Sequence, residues 1–224
     1  GHFTVKLNGT EIMRKSVFQG KAEIVIYGLN EGSYDVEMSY GGDNNYNPIN
    51  ATGRVYATGD DSPNVSFSYL NTLLKLSGNE VRLQKDYTFD ESMDSEFMGG
   101  IILPESLTID GHGHRIDAKG KARIFLAYKG VIVKNAELAN AVADNYGCAV
   151  LSYHYINLEN CTFTNNSAGK FGGAAYAVGQ LRDVNSRFMD NNAGISGGAL
   201  FGEALVSADG STFLNNLAGN LGGA

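Results

Sequence analysis

Phe163-x-x-Asn166 with Gly172-Gly173-Ala174, Phe188-x-x-Asn191 with Gly197-Gly198-Ala199, and Phe213-x-x-Asn216 with Gly222-Gly223-Ala224 repeat one motif at a constant step of 25 residues. A period of this length marks a solenoid, whose units cannot bury an apolar face alone and must stack on their neighbours. Apolar runs return along the same stretch at Val81-Arg82-Leu83, Leu107-Thr108-Ile109, Val131-Ile132-Val133, Tyr155-Ile156-Asn157-Leu158, Leu181 and Leu205-Val206. Such a step is too short for a strand, a helix and two loops, and 29 glycines in 224 residues are too many for helices. Each unit is therefore several short strands with bends. The expectation is a parallel β-helix, right-handed by the rule for parallel crossovers.

Aligning the chain at that step puts Val131, Ile156, Leu181 and Val206 in one column, Leu138, Phe163, Phe188 and Phe213 in a second, and Ala149, Ala174, Ala199 and Ala224 in a third. Each should stack as a ladder inside the coil. Leu138 and Cys148 stand where the motif has Phe and its second Gly, so the coil before Phe163 is a degenerate copy. A fourth column reads Asn135, Asn160, Asn185 and Gly210. Asparagines at a bend tolerate the left-handed conformation and can pass side-chain amides to the next coil. The Gly-Gly pairs suit a bend that needs positive φ or close backbone approach.

Before the solenoid the pattern changes. Phe3, Val5 and Leu7 alternate up to Asn8-Gly9, Ala22, Ile24 and Ile26 up to Gly28, and Tyr34, Val36 and Met38 up to Gly41-Gly42-Asp43. Short alternating runs with Gly and Asn turns indicate an antiparallel β-sandwich over residues 1–58. A polar linker with Pro63 follows at residues 59–65. Residues 66–224 then hold a short helix and the β-helix, because Phe67, Leu70 and Leu74 have helical spacing behind Ser66 as a capping residue. Covering the exposed end rung of the solenoid is the role this helix suggests.

Gly32-Ser33-Tyr34 followed by Tyr40-Gly41-Gly42-Asp43-Asn44-Asn45-Tyr46 resembles the bacterial-type immunoglobulin-like repeat of prokaryotic surface proteins. The match covers only its later strands, which makes the chain read as an excised piece of a longer protein. Phe-x-x-Asn with Gly-Gly-Ala resembles the repeat of the chlamydial polymorphic outer-membrane proteins. The two modules together, with Leu107 to Asp117 between them, look most like the adhesin-like proteins of methanogenic archaea. What these resemblances imply is an immunoglobulin-like sandwich followed by a pectin-lyase-like solenoid, displayed at the cell surface for adhesion. The partners implied are glycans or proteins of other cells.

The formal charge of −7 and a pI near 5.0 argue against nucleic acid or an anionic membrane as partner, and no apolar run is long enough to span a bilayer. Two cysteines, Cys148 and Cys161, are too few for a disulfide framework and read as buried small hydrophobes. β-Helices also carry polysaccharide lyases and glycoside hydrolases, and hydrolysis needs two carboxylates about 5–9.5 Å apart. By register Asp110, Asp117, Asp144, Asp183 and Asp190 form no acidic cluster. His112 and His114 alternate beside Asp110 and Asp117, but a metal site needs three or four convergent ligands and the Gly-x-Gly context reads as a turn. Tyr34, Tyr40 and Tyr46 read as packing residues and Asp43-Asn44-Asn45 as a turn former. Glycosylation-type sequons stand at Asn8, Asn50, Asn64, Asn160 and Asn165, with Asn160 expected to be shielded in its ladder. No catalytic, cofactor-binding or metal-ligating residue is assigned. The expectation is a non-enzymatic extracellular module, with a polysaccharide-active enzyme and a purely structural stalk as the alternatives.

Overall fold

The computed structural model describes residues 1–17, 24–58 and 64–223. Ala22, linker residues 59–63 and Ala224 lie outside them. Residues up to the linker and residues 68–78 form one compact unit, and the remainder forms a second.

In the first unit, β1 (His2–Leu7), β2 (Thr10–Ser16), β3 (Gly32–Tyr40) and β4 (Ile49–Ala57) make one antiparallel sheet in the order β2-β1-β3-β4. Asn8 and Gly9 close the first hairpin with φ of 48° and 79°, the twist a two-residue turn requires. Val5, Leu7, Ile12 and Val36 are buried on one face. Among the described residues this is the only sheet of the unit, where the sequence suggested a two-sheet sandwich. The second layer is irregular chain and helix: Ile24, Ile26 and Leu29, expected to belong to or follow a strand, pack on the sheet outside any strand. Leu76 of α1 (Phe67–Leu76) joins them, Lys75 Nζ donates to Ile12 O at 3.1 Å, and Tyr69 stacks on Tyr27 at 5.4 Å. Gly28, at φ 76°, allows this approach, because a Cβ there would lie 2.6 Å from Tyr69 Cα. Residues 68–78 thus group with the sheet by their contacts.

The second unit is a β-solenoid of about six coils with parallel pairing throughout. One wall stacks six strands (Glu80–Arg82, Leu107–Asp110, Gly130–Lys134, Tyr155–Glu159, Gln180–Val184 and Leu205–Asp209). A second wall stacks seven strands, from Asn64–Val65 through Thr212–Leu214, and a third stacks five, from Ile101–Leu103 to Leu200–Gly202. A short fourth sheet runs from Val142–Ala143 to Leu217–Ala218. The expected columns pair in register: Val131 with Ile156, Leu181 and Val206, and Leu138 with Phe163, Phe188 and Phe213. The Phe163, Phe188 and Phe213 rings stack at 5.1 and 4.9 Å with 11° between planes. Ala149, Ala174 and Ala199 are fully buried.

The bends follow residue chemistry. Asn135, Asn160, Asn185 and Gly210 have φ of 51°, 52°, 57° and 64°, and Asn140, Asn165, Asp190 and Asn215 turn the same way at 54° to 56°. The two glycines of each pair divide the work. Gly172 and Gly197 take φ of 64° and 65°, while a Cβ on Gly173 would lie 2.0 Å from Gly198 O. The helix start differs from its sequence signal. Ser66 Oγ is buried without a partner, and the Phe67 N–H is received by the buried Asp94 carboxylate at 2.9 Å.

Candidate functional site

The repeated residues are occupied with holding the coil. Asn166, Asn191 and Asn216, the motif asparagines, point inward as a ladder: each of the first two donates its amide to the next Oδ1 at 2.9 Å. All three also donate to a carbonyl of the preceding coil, Leu138 O, Phe163 O and Phe188 O, at 2.9–3.1 Å. The ladder inferred from sequence, Asn135–Asn160–Asn185, lies on the outside instead. Asn160 is exposed, although its amide reaches Asn135 Oδ1 at 3.4 Å. The left-handed bend carries the side chain outward, so the expectation of a shielded Asn160 fails.

The carboxylates considered for catalysis are spread over the coil. Asp110 Oδ1 accepts from the His112 N–H and the Asn135 amide, and Asp117 Oδ1 from the Lys119 N–H and the Asn140 amide. Asp190 accepts from Asn215, and Asp183 is buried inside the coil in the column of Leu158. Burial pushes the Asp183 carboxyl above its ordinary range, opposed by hydroxyls of Ser186 and Ser211. His112 takes φ 50° in its turn, and His114 Nδ1 pairs with Asp86 at 3.0 Å. In the first unit Asp43 is a turn former: its oxygens accept from Asn45 N, Tyr46 N and the Tyr40 hydroxyl. The Tyr40 hydroxyl foremost lowers Asp43 to about 2, and the Asp43 carboxylate raises Tyr40 to about 12.

Of the sequons, Asn165 gives its amide to Asn140 Oδ1 and Asn8 Oδ1 receives Asp35 N, while Asn50 is exposed on β4. The side chain of Asn64 lies outside the described residues.

What varies from coil to coil is the ridge between the third wall and the first. It reads Pro104-Glu105-Ser106, Tyr128-Lys129-Gly130, Tyr153-His154-Tyr155, Val178-Gly179-Gln180 and Glu203-Ala204-Leu205. The backbone under it is fixed. Tyr128, Tyr153, Val178 and Glu203 each donate an N–H to the preceding coil at 2.9–3.0 Å, and Ser152 Oγ receives His154 N at 3.1 Å. Tyr128 and Tyr153 are 50% and 52% exposed and stack at 5.7 Å with 8° between planes. The Tyr155 ring fills the space a side chain at Gly130 would need, 2.3 Å from that Cβ position. His154 meets it edge-on at 5.6 Å.

Beside the ridge lies an open cleft of about 500 Å³ bordered by Asn79, Glu105, Ser106, Thr108, Lys129 and Tyr155, in which Lys129 and Glu105 form an ion pair. By contrast, Tyr176 and Phe201 on the outer side of the third wall are covered by their own chain, while Ile102 on its first strand stays exposed. Tyr176 is 5% exposed beneath Tyr146, and Phe201 lies beside Phe171 at 4.8 Å. The tyrosines singled out in the sequence lie in the first unit, and the ridge went unread because its signal is variability between coils, which a motif search discards.

No helix among the described residues is long and apolar enough to cross a membrane. Neither curated proteins nor solved structures give a match to the chain. Residues 160–178, which span the bend at Asn160 and Asn165 and the first Gly-Gly-Ala, match the Chlamydia polymorphic membrane protein repeat, and this likeness points to a family of outer-membrane and surface proteins.

Proposed function

We propose that the chain is a non-enzymatic surface module whose solenoid presents the 104–205 ridge for attachment to other cells. The observation that carries this reading is the division of labour within each coil. The residues shared between repeats are turned inward or locked in bends, while the ridge changes from Tyr-Lys-Gly to Tyr-His-Tyr to Val-Gly-Gln on an unchanged backbone. Binding and recognition residues concentrate on loops held by a rigid scaffold. The repeat match supports surface display, and the separate structural engagements of Asp110, Asp117, Asp183 and Asp190 favour binding over turnover. The Tyr40–Asp43 corner favours an immunoglobulin-like origin for the first unit. With a right-handed, pectin-lyase-like coil, that order of modules is the one of archaeal adhesin-like proteins. Purified protein coupled to beads should attach to whole cells, and Tyr128→Ser with Tyr153→Ser should reduce attachment. Equal attachment by the double variant, or release of sugars from polysaccharide by the wild type, would refute the reading.

A further inference from the structure

We infer that the cleft beside the ridge binds a neutral oligosaccharide, with Tyr155 as the surface on which a sugar ring lies. This rests on the surface-binding reading and gives the ridge a ligand class. A pyranose has an apolar C–H face and a rim of hydroxyls, each both donor and acceptor. Its site therefore needs an aromatic surface beside mixed hydrogen-bonding groups. The cleft supplies both. Tyr155 is partly exposed and seated over Gly130, so its ring is held by the coil and loses little freedom on binding. Around it stand the Ser106 and Thr108 hydroxyls, the Asn79 amide, the Glu105 carboxylate and the Lys129 ammonium. A volume of about 500 Å³ falls in the range of small-ligand sites and suits a short oligosaccharide.

Charge selects among sugars. The cation of the cleft, Lys129, is already paired with Glu105, so an anionic ligand would have to break that pair and would meet Glu105 as well. A uronic acid polymer or a phosphorylated ligand is disfavoured on this ground. A protein partner is disfavoured by the lining, which is mostly polar where an interface core would be apolar. Beyond the cleft, Tyr153 and Tyr128 give a longer chain further contacts along the coil axis.

Isothermal titration with soluble β-glucan, mannan and galactan oligomers, and with oligogalacturonate as the anionic probe, tests this on the whole chain. At least one neutral series should bind and oligogalacturonate should not. Tyr155→Ala should weaken binding about tenfold, the loss of one aromatic contact, while Tyr155→Phe stays within about threefold. Glu105→Gln with Lys129→Met, whose coil fold is checked by circular dichroism, should also weaken it, so the test does not depend on one variant folding. Preferential binding of oligogalacturonate, or neutral-sugar affinity unchanged in Tyr155→Ala, would overturn the inference. If no neutral series binds while the protein still attaches to cells, the glycan inference falls and the attachment reading stands. If attachment is also missing, both fall.

Discussion

Asn191→Ala removes one rung of the inner asparagine ladder. In the folded protein Asn191 is fully buried, and its Oδ1 accepts from the Asn166 N–H at 3.1 Å and from the Asn166 amide at 2.9 Å. Its own amide reaches Phe163 O at 3.0 Å and Asn216 Oδ1 at 2.9 Å. Alanine leaves the Asn166 backbone N–H and one N–H of its amide without an acceptor, although the amide keeps Leu138 O, whereas Asn216 Oδ1 keeps a donor in the backbone N–H of residue 191. Two stranded buried donors at ~1–3 kcal/mol each give about 2–6 kcal/mol, and water entering the vacated space brings the expected loss to about 3 kcal/mol. Asn192→Ala is the matched control, since Asn192 is exposed and makes one 3.5 Å contact to Ser167; it should cost under about 0.5 kcal/mol. Urea unfolding followed by circular dichroism gives the global loss. Native-state hydrogen exchange gives the local one, which matters because solenoids open coil by coil. The Asn166 N–H should lose the most protection. If Asn191→Ala costs no more than Asn192→Ala, or if the Asn166 N–H keeps its protection, the ladder is not what holds these coils together.

Phe188 is fully buried between two stacked rings, so Phe188→Ala should cost about 3–5 kcal/mol, and Phe188→Asp should unfold the C-terminal coils; unchanged thermal stability in the aspartate variant would count against the column. The Asp183 carboxyl is raised by burial, so the folded state holds its proton more tightly than the unfolded state does; its stabilising contribution is full below the unfolded value near 4 and is lost as pH rises through the folded value. The melting-temperature difference between wild type and Asp183→Asn should therefore favour the variant more at neutral pH than in mild acid, and a pH-independent difference would refute this. Burial pushes the Cys161 thiol up to about 11 and Cys148 further still, so neither should react with a disulfide reagent at pH 8 until denaturant is added. Rapid labelling of the native protein would contradict their placement.

The coil was legible because its signals are periodic and local. The columns of Val131 and Leu138 pair as the step of 25 residues requires, and asparagine and glycine at the bends take the positive φ their chemistry favours. Sequence reasoning fared worse where the partner is distant or the direction of a side chain decides. The step groups Asn160 with Asn185 and Asn166 with Asn191 alike, but only backbone geometry tells that the first pair turns outward and the second inward. Asp94 receives the Phe67 N–H from 27 residues away, so no local capping pattern revealed it. The layer over the first sheet is irregular, and periodicity cannot announce an irregular layer. The cleft forms from Asn79, Glu105, Lys129 and Tyr155, residues of four successive turns that become neighbours only when the coil is wound.

The asparagine ladder also constrains how genes for such coils can change length. Asn166 and Asn191 each donate to an Oδ1 of the following coil, and Asn191 and Asn216 each offer that acceptor to the preceding one, so a segment gained or lost as one whole unit of 25 residues restores each bond with an equivalent partner. The coils before Leu138 depart from that step, with Ile116 pairing with Leu138 and Leu107 with Val131 in register although their spacings differ from those of the later coils, so changes of length are taken up in the bends. Exchange between in-phase repeats therefore lengthens the solenoid with its inner bonds intact, and under the proposed attachment function the ridge, which carries none of those bonds, is left to vary.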